Sequence, residues 1–445
     1  MDFEEKKEQS SATEYFEADV LGEKSSAQAP VSTGSRKKKA KGSFGQGLFL
    51  GVLLTLLIVL LVVLGVKLGK VLTTQKQDSY RLDVTAGSAI DYDLVQKLQS
   101  LEQIIHRYYY KDDLTAEQLS DGIYKGLLDS LGDPYSEYYT PEELADLIES
   151  TEGVYYGIGA YVSLDTDRNL PKISSVIEGT PAEEAGLRDN DILYKVDGTS
   201  TYGLSLNETV ALIKGEEFTD VLLTIIRDGK EMEVTVTRRK VETPTVKHEM
   251  LEDGMGFLQI VEFDDVTVSQ FRDAMTDLRA QEMKGLILDL RANPGGSLDA
   301  VVDIAEMLLP EGMIVYTEDK YGNRREYTCD GSQQLEMPLV VLIDMNSASA
   351  SEILAGAIKD YGIGTLVGTT SFGKGIVQQI LPFSDGSAIK VTVSSYYTPK
   401  GYNIHGIGIK PDVEIAFDGE TYYSNEEHYD NQLEKAKEVL KDKMK

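Results

Sequence analysis

The stretch PLVVLIDMNSASASEILAGAIKDYG, residues 338–362, decides how the fold is read. Leu339 to Ile343 form an unbroken apolar run, the pattern of a strand covered on both faces. From Ser351 the apolar residues recur at helical spacing and stop at Gly362, a common helix terminator. A buried strand feeding a helix is the unit of a layered α/β sheet. Working outward, GLILDL (285–290) is a second such strand, with a helix expected over Leu298–Leu309. TLVG (365–368) and IVQQI (376–380) read as shorter strands. From about Glu249 onward, the expectation is therefore an α/β core of alternating βα layers.

Upstream the texture differs. Gly153 to Val241 holds short strands, and VLLTIIRDGKEMEVTVTRR (221–239) reads as a hairpin turned by Asp228-Gly229 in a type I′ turn. Thr180-Pro-Ala-Glu-Glu reads as a helix cap. Residues 92–152 read as helical: Leu94, Leu98, Leu101 and Ile105 share a face, and a second amphipathic run covers Gln118–Leu128. The breaker GDPYSEYYTPEE (132–143) follows, with Thr140 as cap, Pro141 at the first helical position and Glu143 closing a capping box.

The chain of 445 residues carries a net charge of −30. Residues 1–46 hold eight acids and eight bases, so the whole excess lies beyond them. A surface that acidic repels phosphate backbones, which argues against nucleic acid as a partner. Residues 1–35 are polar and mixed in charge, the composition of a disordered tail. Residues 47–66 (GLFLGVLLTLLIVLLVVLGV) contain no charge, long enough as a helix to cross a bilayer. A cleaved signal peptide would have a shorter apolar core and a small-residue cleavage site, whereas Lys67 follows directly. Arg36, Lys37, Lys38, Lys39 and Lys41 assign residues 1–46 to the cytoplasm. The expectation is a single-pass cell-membrane protein with a stalk over 67–91 and everything later extracytoplasmic. Cys329, the single cysteine, excludes an intrachain disulfide and reads as a bystander in a polar, turn-like stretch.

Chemistry is sought at the strand-to-helix junction. A serine there is presented beside outward-pointing N–H groups at the positive end of a helix. Ser347, Ser349 and Ser351 are the candidates, although Ser349-Ala-Ser-Glu352 also reads as a plain capping box. The four histidines, His106, His248, His405 and His428, lie in no base motif and at no metal-ligand spacing, so no metal is expected. A lysine can serve as base if it is kept neutral. Lys374, between Gly373 and Gly375, sits where the backbone can approach closely. Gly368 to Lys374 fits part of a phosphate-binding loop. Gly375 replaces the required hydroxyl, however, and a strand follows instead of a helix, so no nucleotide cofactor is expected.

NSASASEILAGAIKD (346–360) with SFGKGIVQ (371–378) resembles the catalytic block of the carboxy-terminal processing peptidases, or tail-specific proteases. LGDPYSEYYTPEE (131–143), LDLRANPGG (288–296) and YYTPKGYNIHGIGIKPDV (396–413) extend the resemblance over about residues 92–415. It implies a serine protease core of crotonase/Clp-like layers over 243–415 and an inserted PDZ domain over 153–242; beyond it, residues 416–445 read as an acidic tail followed by a basic helix. It implies Ser349 as nucleophile, Lys374 as general base, Gln378 as the side chain orienting that lysine, and the N–H groups of Gly295 and Ala350 as the oxyanion hole.

YYGIGAY (155–161) resembles the carboxylate-binding loop of PDZ domains, in which the N–H groups of Gly157, Ile158 and Gly159 would form an anion nest. The implied function is a membrane-anchored, extracytoplasmic serine endopeptidase that takes polypeptides by exposed apolar carboxy-terminal tails. The resemblance further implies gating by PDZ occupancy and a homodimer made through the amino-terminal helices. The alternative is a catalytically silent PDZ scaffold that collects such tails.

Overall fold

The computed structural model describes residues 90–111, 113–166, 168–424 and 428–445. The expected cytoplasmic tail, the transmembrane segment 47–66 and stalk residues 67–89 lie outside the described residues. Among the described residues, no helix is long and apolar enough to cross a membrane. The chain divides into two units, 1–108 and 109–445. In the first, the helix Tyr92–Tyr108 leaves Leu94, Val95, Leu101 and Ile104 exposed.

The second unit is built on a six-stranded sheet. Its order is Val246–Met250, Met255–Ile260, Gly285–Asp289, Leu339–Ile343, Gly364–Gly368 and Val413–Glu414. The first pair is antiparallel and the rest are parallel. Every residue of Gly285–Asp289 and Leu339–Ile343 is buried, as their apolar runs require. Alternate side chains point to opposite faces. Leu339, Val341 and Ile343 pack with Phe271, Ile304 and Leu354 of the helices Asp265–Ala280, Leu298–Glu306 and Ala350–Tyr361. Val340 and Leu342 instead meet Ala436 and Leu440 of the helix Asn431–Lys443. The terminal helix is thus the second cover of the sheet. Arg291 pins its start by bonding Asp289, Asp430 and Gln432.

A five-stranded antiparallel sheet lies beside this core, made from Glu137–Tyr139, Ala388–Tyr397, Gly312–Asp319, Arg324–Cys329 and Ile376–Pro382. The segment read as a breaker between helices therefore contributes a strand, with Tyr138 opposite Ile389. Three residues are too short a run for alternation to register. Cys329 ends a strand rather than lying in a turn, and it is buried with its thiol donating to the Pro310 carbonyl.

The strands between Ala160 and Thr237 make a separate antiparallel sheet around Ile173, Leu193, Leu223, Ile225 and Val236. Asp228 and Gly229 turn its hairpin with φ of 52° and 74°, as a type I′ turn needs. Thr180 departs from expectation. Its side chain makes no cap on the four-residue helix Pro181–Glu184, and its hydroxyl lies 2.5 Å from the Ile177 carbonyl and 3.0 Å from that of Gly159. The chain enters and leaves this region through a two-stranded ribbon, Val154–Gly157 against Arg239–Glu242.

Candidate active site

The turn after Leu339–Ile343 is cross-braced before it delivers Ser349. Ser347 donates to the Leu290 carbonyl, Ala348 N–H to the Asn293 carbonyl, and the Ser351 hydroxyl to the same carbonyl. Ser349 then takes φ 53° and ψ −113°, a backbone that side-chain-bearing residues rarely adopt. Its N–H donates to Glu352 Oε2 at 3.0 Å, and its carbonyl accepts from the Tyr396 hydroxyl at 3.0 Å. Tyr396 is fully buried, which pushes its phenol well above the usual range and keeps it a neutral donor. A sharp, over-determined strand-to-helix junction turns half-buried Ser349 toward a cavity, in the manner of a nucleophile elbow.

Glu352 is the hub of the site. Its side chain is wholly buried and accepts from Ser349 N–H, the Ser371 hydroxyl at 2.6 Å, Gly373 N–H at 2.7 Å and Lys374 N–H at 2.9 Å. One carboxylate thus fastens the backbone of Ser349 to the backbone of Lys374. The sequence suggests only a capping role for Glu352, because its partners 19 to 22 residues away belong to a loop of no regular period. The glycines flanking Lys374 are required by close approach. A Cβ on Gly373 would stand 2.9 Å from Gly408 N, and one on Gly375 would stand 2.6 Å from His405 N.

Ser349, Ala350, Lys374 and Gln378 all line one cavity of about 370 Å³, together with Phe263, Pro294, Gly296, Leu298, Ile353 and Ile376. Burial chiefly, and then the charge of Lys390, hold the Lys374 amine below its ordinary value, against the pull of Asp133 and Glu137. No hydrogen bond joins Lys374 Nζ to Ser349 Oγ. The amine lies over the Tyr135 ring, 4.6 Å from its centroid. Gln378 donates to the Thr392 hydroxyl at 3.1 Å and makes no hydrogen bond to Lys374.

Gly295 N–H donates to Asn293 Oδ1 at 2.8 Å, so that donor is engaged within the loop. The glycine itself is demanded by its φ of 109° and by its neighbours. A Cβ there would stand 2.7 Å from Ser349 Cβ and 3.0 Å from Ala350 N. Gly295→Ala keeps the N–H but drives a Cβ against Ser349, so it is expected to displace that residue and lower casein digestion by about 10²-fold. Unchanged digestion would show that the glycine stands clear of the nucleophile. Asp264, which also lines the cavity, is pushed up to about 7 by burial and by the charges of Glu262 and Asp265.

The loop expected to bind tails is less open. Gly157, Ile158 and Gly159 are all buried, and the Ile158 carbonyl accepts from Ala182 N–H. Gly159 has φ 83°, and a Cβ there would stand 2.3 Å from Thr180.

Comparisons with known proteins give the family. Residues 254–415 match the sequence profile of Peptidase family S41, and residues 172–227 match that of a PDZ domain. A carboxyl-terminal-processing protease of Synechocystis sp. is 36% identical over 315 residues, which cover 69% of this chain and 74% of the relative. A protein named "Probable CtpA-like serine protease" in Staphylococcus aureus is 36% identical over 325 residues, 72% of this chain and 64% of that relative. This chain thus spans less than two thirds of the staphylococcal protein. Among solved structures, a photosystem II D1 C-terminal processing protease is 33% identical, covering 72% of this chain and 86% of that one with a TM-score of 0.43. The family match and these relatives define a serine-type peptidase. The chain belongs to the carboxyl-terminal-processing proteases of peptidase family S41 and carries a PDZ domain.

Proposed function

We propose that this protein is a membrane-anchored endopeptidase working outside the cytoplasm, which receives polypeptides by their carboxy-terminal tails and cleaves them with Ser349 and Lys374. One observation carries the reading: a half-buried serine on a strained backbone and a half-buried lysine, its amine held down chiefly by burial, share a cavity and are fastened through one buried carboxylate. In the reaction, the neutral Lys374 amine leaves the Tyr135 ring and takes the Ser349 proton as the oxygen attacks the scissile carbonyl. Ala350 N–H, joined by Gly295 N–H once it releases Asn293, stabilises the oxyanion. Lys374 returns the proton to the leaving amine, and water then hydrolyses the acyl-enzyme. Unbound sites are often looser than reacting ones, so the missing Ser349–Lys374 hydrogen bond is compatible with this course.

Anchoring is supported by the uncharged segment 47–66 and the basic residues before it. The exposed apolar side chains of Tyr92–Tyr108 support association with a second copy. Tail capture is supported by the PDZ domain and by the likeness to the carboxyl-terminal-processing protease of Synechocystis. A serine-reactive fluorophosphonate probe is expected to modify Ser349, read by mass spectrometry of the labelled peptide. Active enzyme that carries the label elsewhere, or remains unlabelled, would reject the assignment.

A further inference from the structure

We propose that Lys390 is a positioning residue for this reaction: its ammonium, tethered to Glu137 and Tyr139 in the wall of the cavity that holds Ser349 and Lys374, keeps the Lys374 amine in its proton-accepting form. The inference rests on Lys374 being the base. Lys390 lies on the strand Ala388–Tyr397, opposite Ile380 of the strand that begins two residues after Lys374. It lines the cavity with both members of the dyad. Its Nζ donates to Glu137 Oε2 at 2.8 Å and to the Tyr139 hydroxyl at 2.6 Å, and it sits 5.1 Å from the Tyr139 ring centroid. That anchoring does two things: it fixes the cation in place, and it keeps Lys390 charged, since its partners raise its proton affinity despite burial. An amine beside a fixed like charge gives up its proton more readily.

Two carboxylates facing Lys374, Asp133 and Glu137, act against Lys390. The segment 133–139 presents Asp133, Tyr135 and Glu137. The Asp133 carboxylate is occupied by the Ser136 hydroxyl and Tyr135 N–H, while Glu137 is bound to Lys390 and Tyr139. Each pulls Lys374 less strongly than Lys390 pushes it. The Tyr135 ring favours an ammonium above its face and so opposes Lys390. Tyr396 is a neutral phenol, Glu352 reaches only the backbone N–H of Lys374, and Glu262 and Asp264 line the cavity without being among the charges that act on Lys374. A strand from the first segment of this unit therefore supplies no reacting group and holds the charge that tunes one.

The test is the pH dependence of kcat/KM on a casein-derived fluorogenic peptide, using the full chain. Lys390→Gln is expected to move the acid limb upward by about one pH unit, with a loss of about tenfold at neutral pH that is recovered on the alkaline plateau. Lys390→Arg keeps the charge and is expected to leave the limb in place. Glu137→Gln removes the opposing charge while Tyr139 still holds the ammonium, so it is expected to move the limb downward. A limb that stays fixed in Lys390→Gln while the rate falls at every pH, or a limb unmoved by Glu137→Gln, would overturn the proposal and leave Lys390 a structural residue. Retained activity in Lys374→Ala would instead bring down the dyad itself, which separates the two failures.

Discussion

Ser349→Ala is expected to depress casein digestion by at least about 10⁴-fold, and Lys374→Ala by a similar factor. Removing the hydroxyl leaves no atom to form the acyl-enzyme. Removing the amine leaves a serine whose own proton affinity makes it a poor nucleophile near neutral pH. Because the two groups act in one step, the double variant is expected to be no worse than either single one. Such non-additivity would not arise if each residue merely supported the fold. Peptide release from casein measures the loss, and thermal unfolding checks that the variants remain folded. Digestion surviving in Ser349→Ala would overturn Ser349 as the nucleophile.

Glu352→Ala is expected to harm stability and activity together, which no other single change in the site should do so strongly. The substitution strands the N–H groups of Ser349, Gly373 and Lys374 and the hydroxyl of Ser371 in a buried place. Orphaning buried, charge-assisted partners costs about 3–5 kcal/mol. The loop holding Lys374 also loses its fastening to the turn holding Ser349, so activity should fall by about 10²-fold even in the fraction that folds. Glu352→Gln keeps the shape but turns an NH₂ group toward donors, and an intermediate loss is expected. Denaturant midpoints and fluorophosphonate labelling rates measure the two effects separately. A stable, fully reactive Glu352→Ala protein would remove the carboxylate from its central position.

The sequence made the parallel core legible because its strands are uninterrupted apolar runs, and burial on both faces leaves no other pattern. Ser349 and Lys374 were legible for a different reason: the turn between strand and helix, and the two glycines, are local features. What stayed hidden was long-range. Tyr396, Asn293, Tyr135 and Lys390 are ordinary residues in sequence, and their importance comes from chain segments that meet only after folding. The strand Glu137–Tyr139 is too short to announce itself, and its partner lies some 250 residues later. The terminal helix Asn431–Lys443 is mostly polar. Only Leu440, Ala436 and a few neighbours reveal that it closes one face of the sheet.

The ribbon of Val154–Gly157 and Arg239–Glu242 means that Val154 and Glu242 are cross-strand neighbours. Cross-strand residues lie about 5 Å apart, so eighty-odd intervening residues begin and end almost at the same point in space. To the catalytic scaffold, the whole insert is topologically no more than the tip of a hairpin. Such an arrangement lets a lineage lengthen, trade or excise its recognition element without re-threading a single strand of the hydrolytic core.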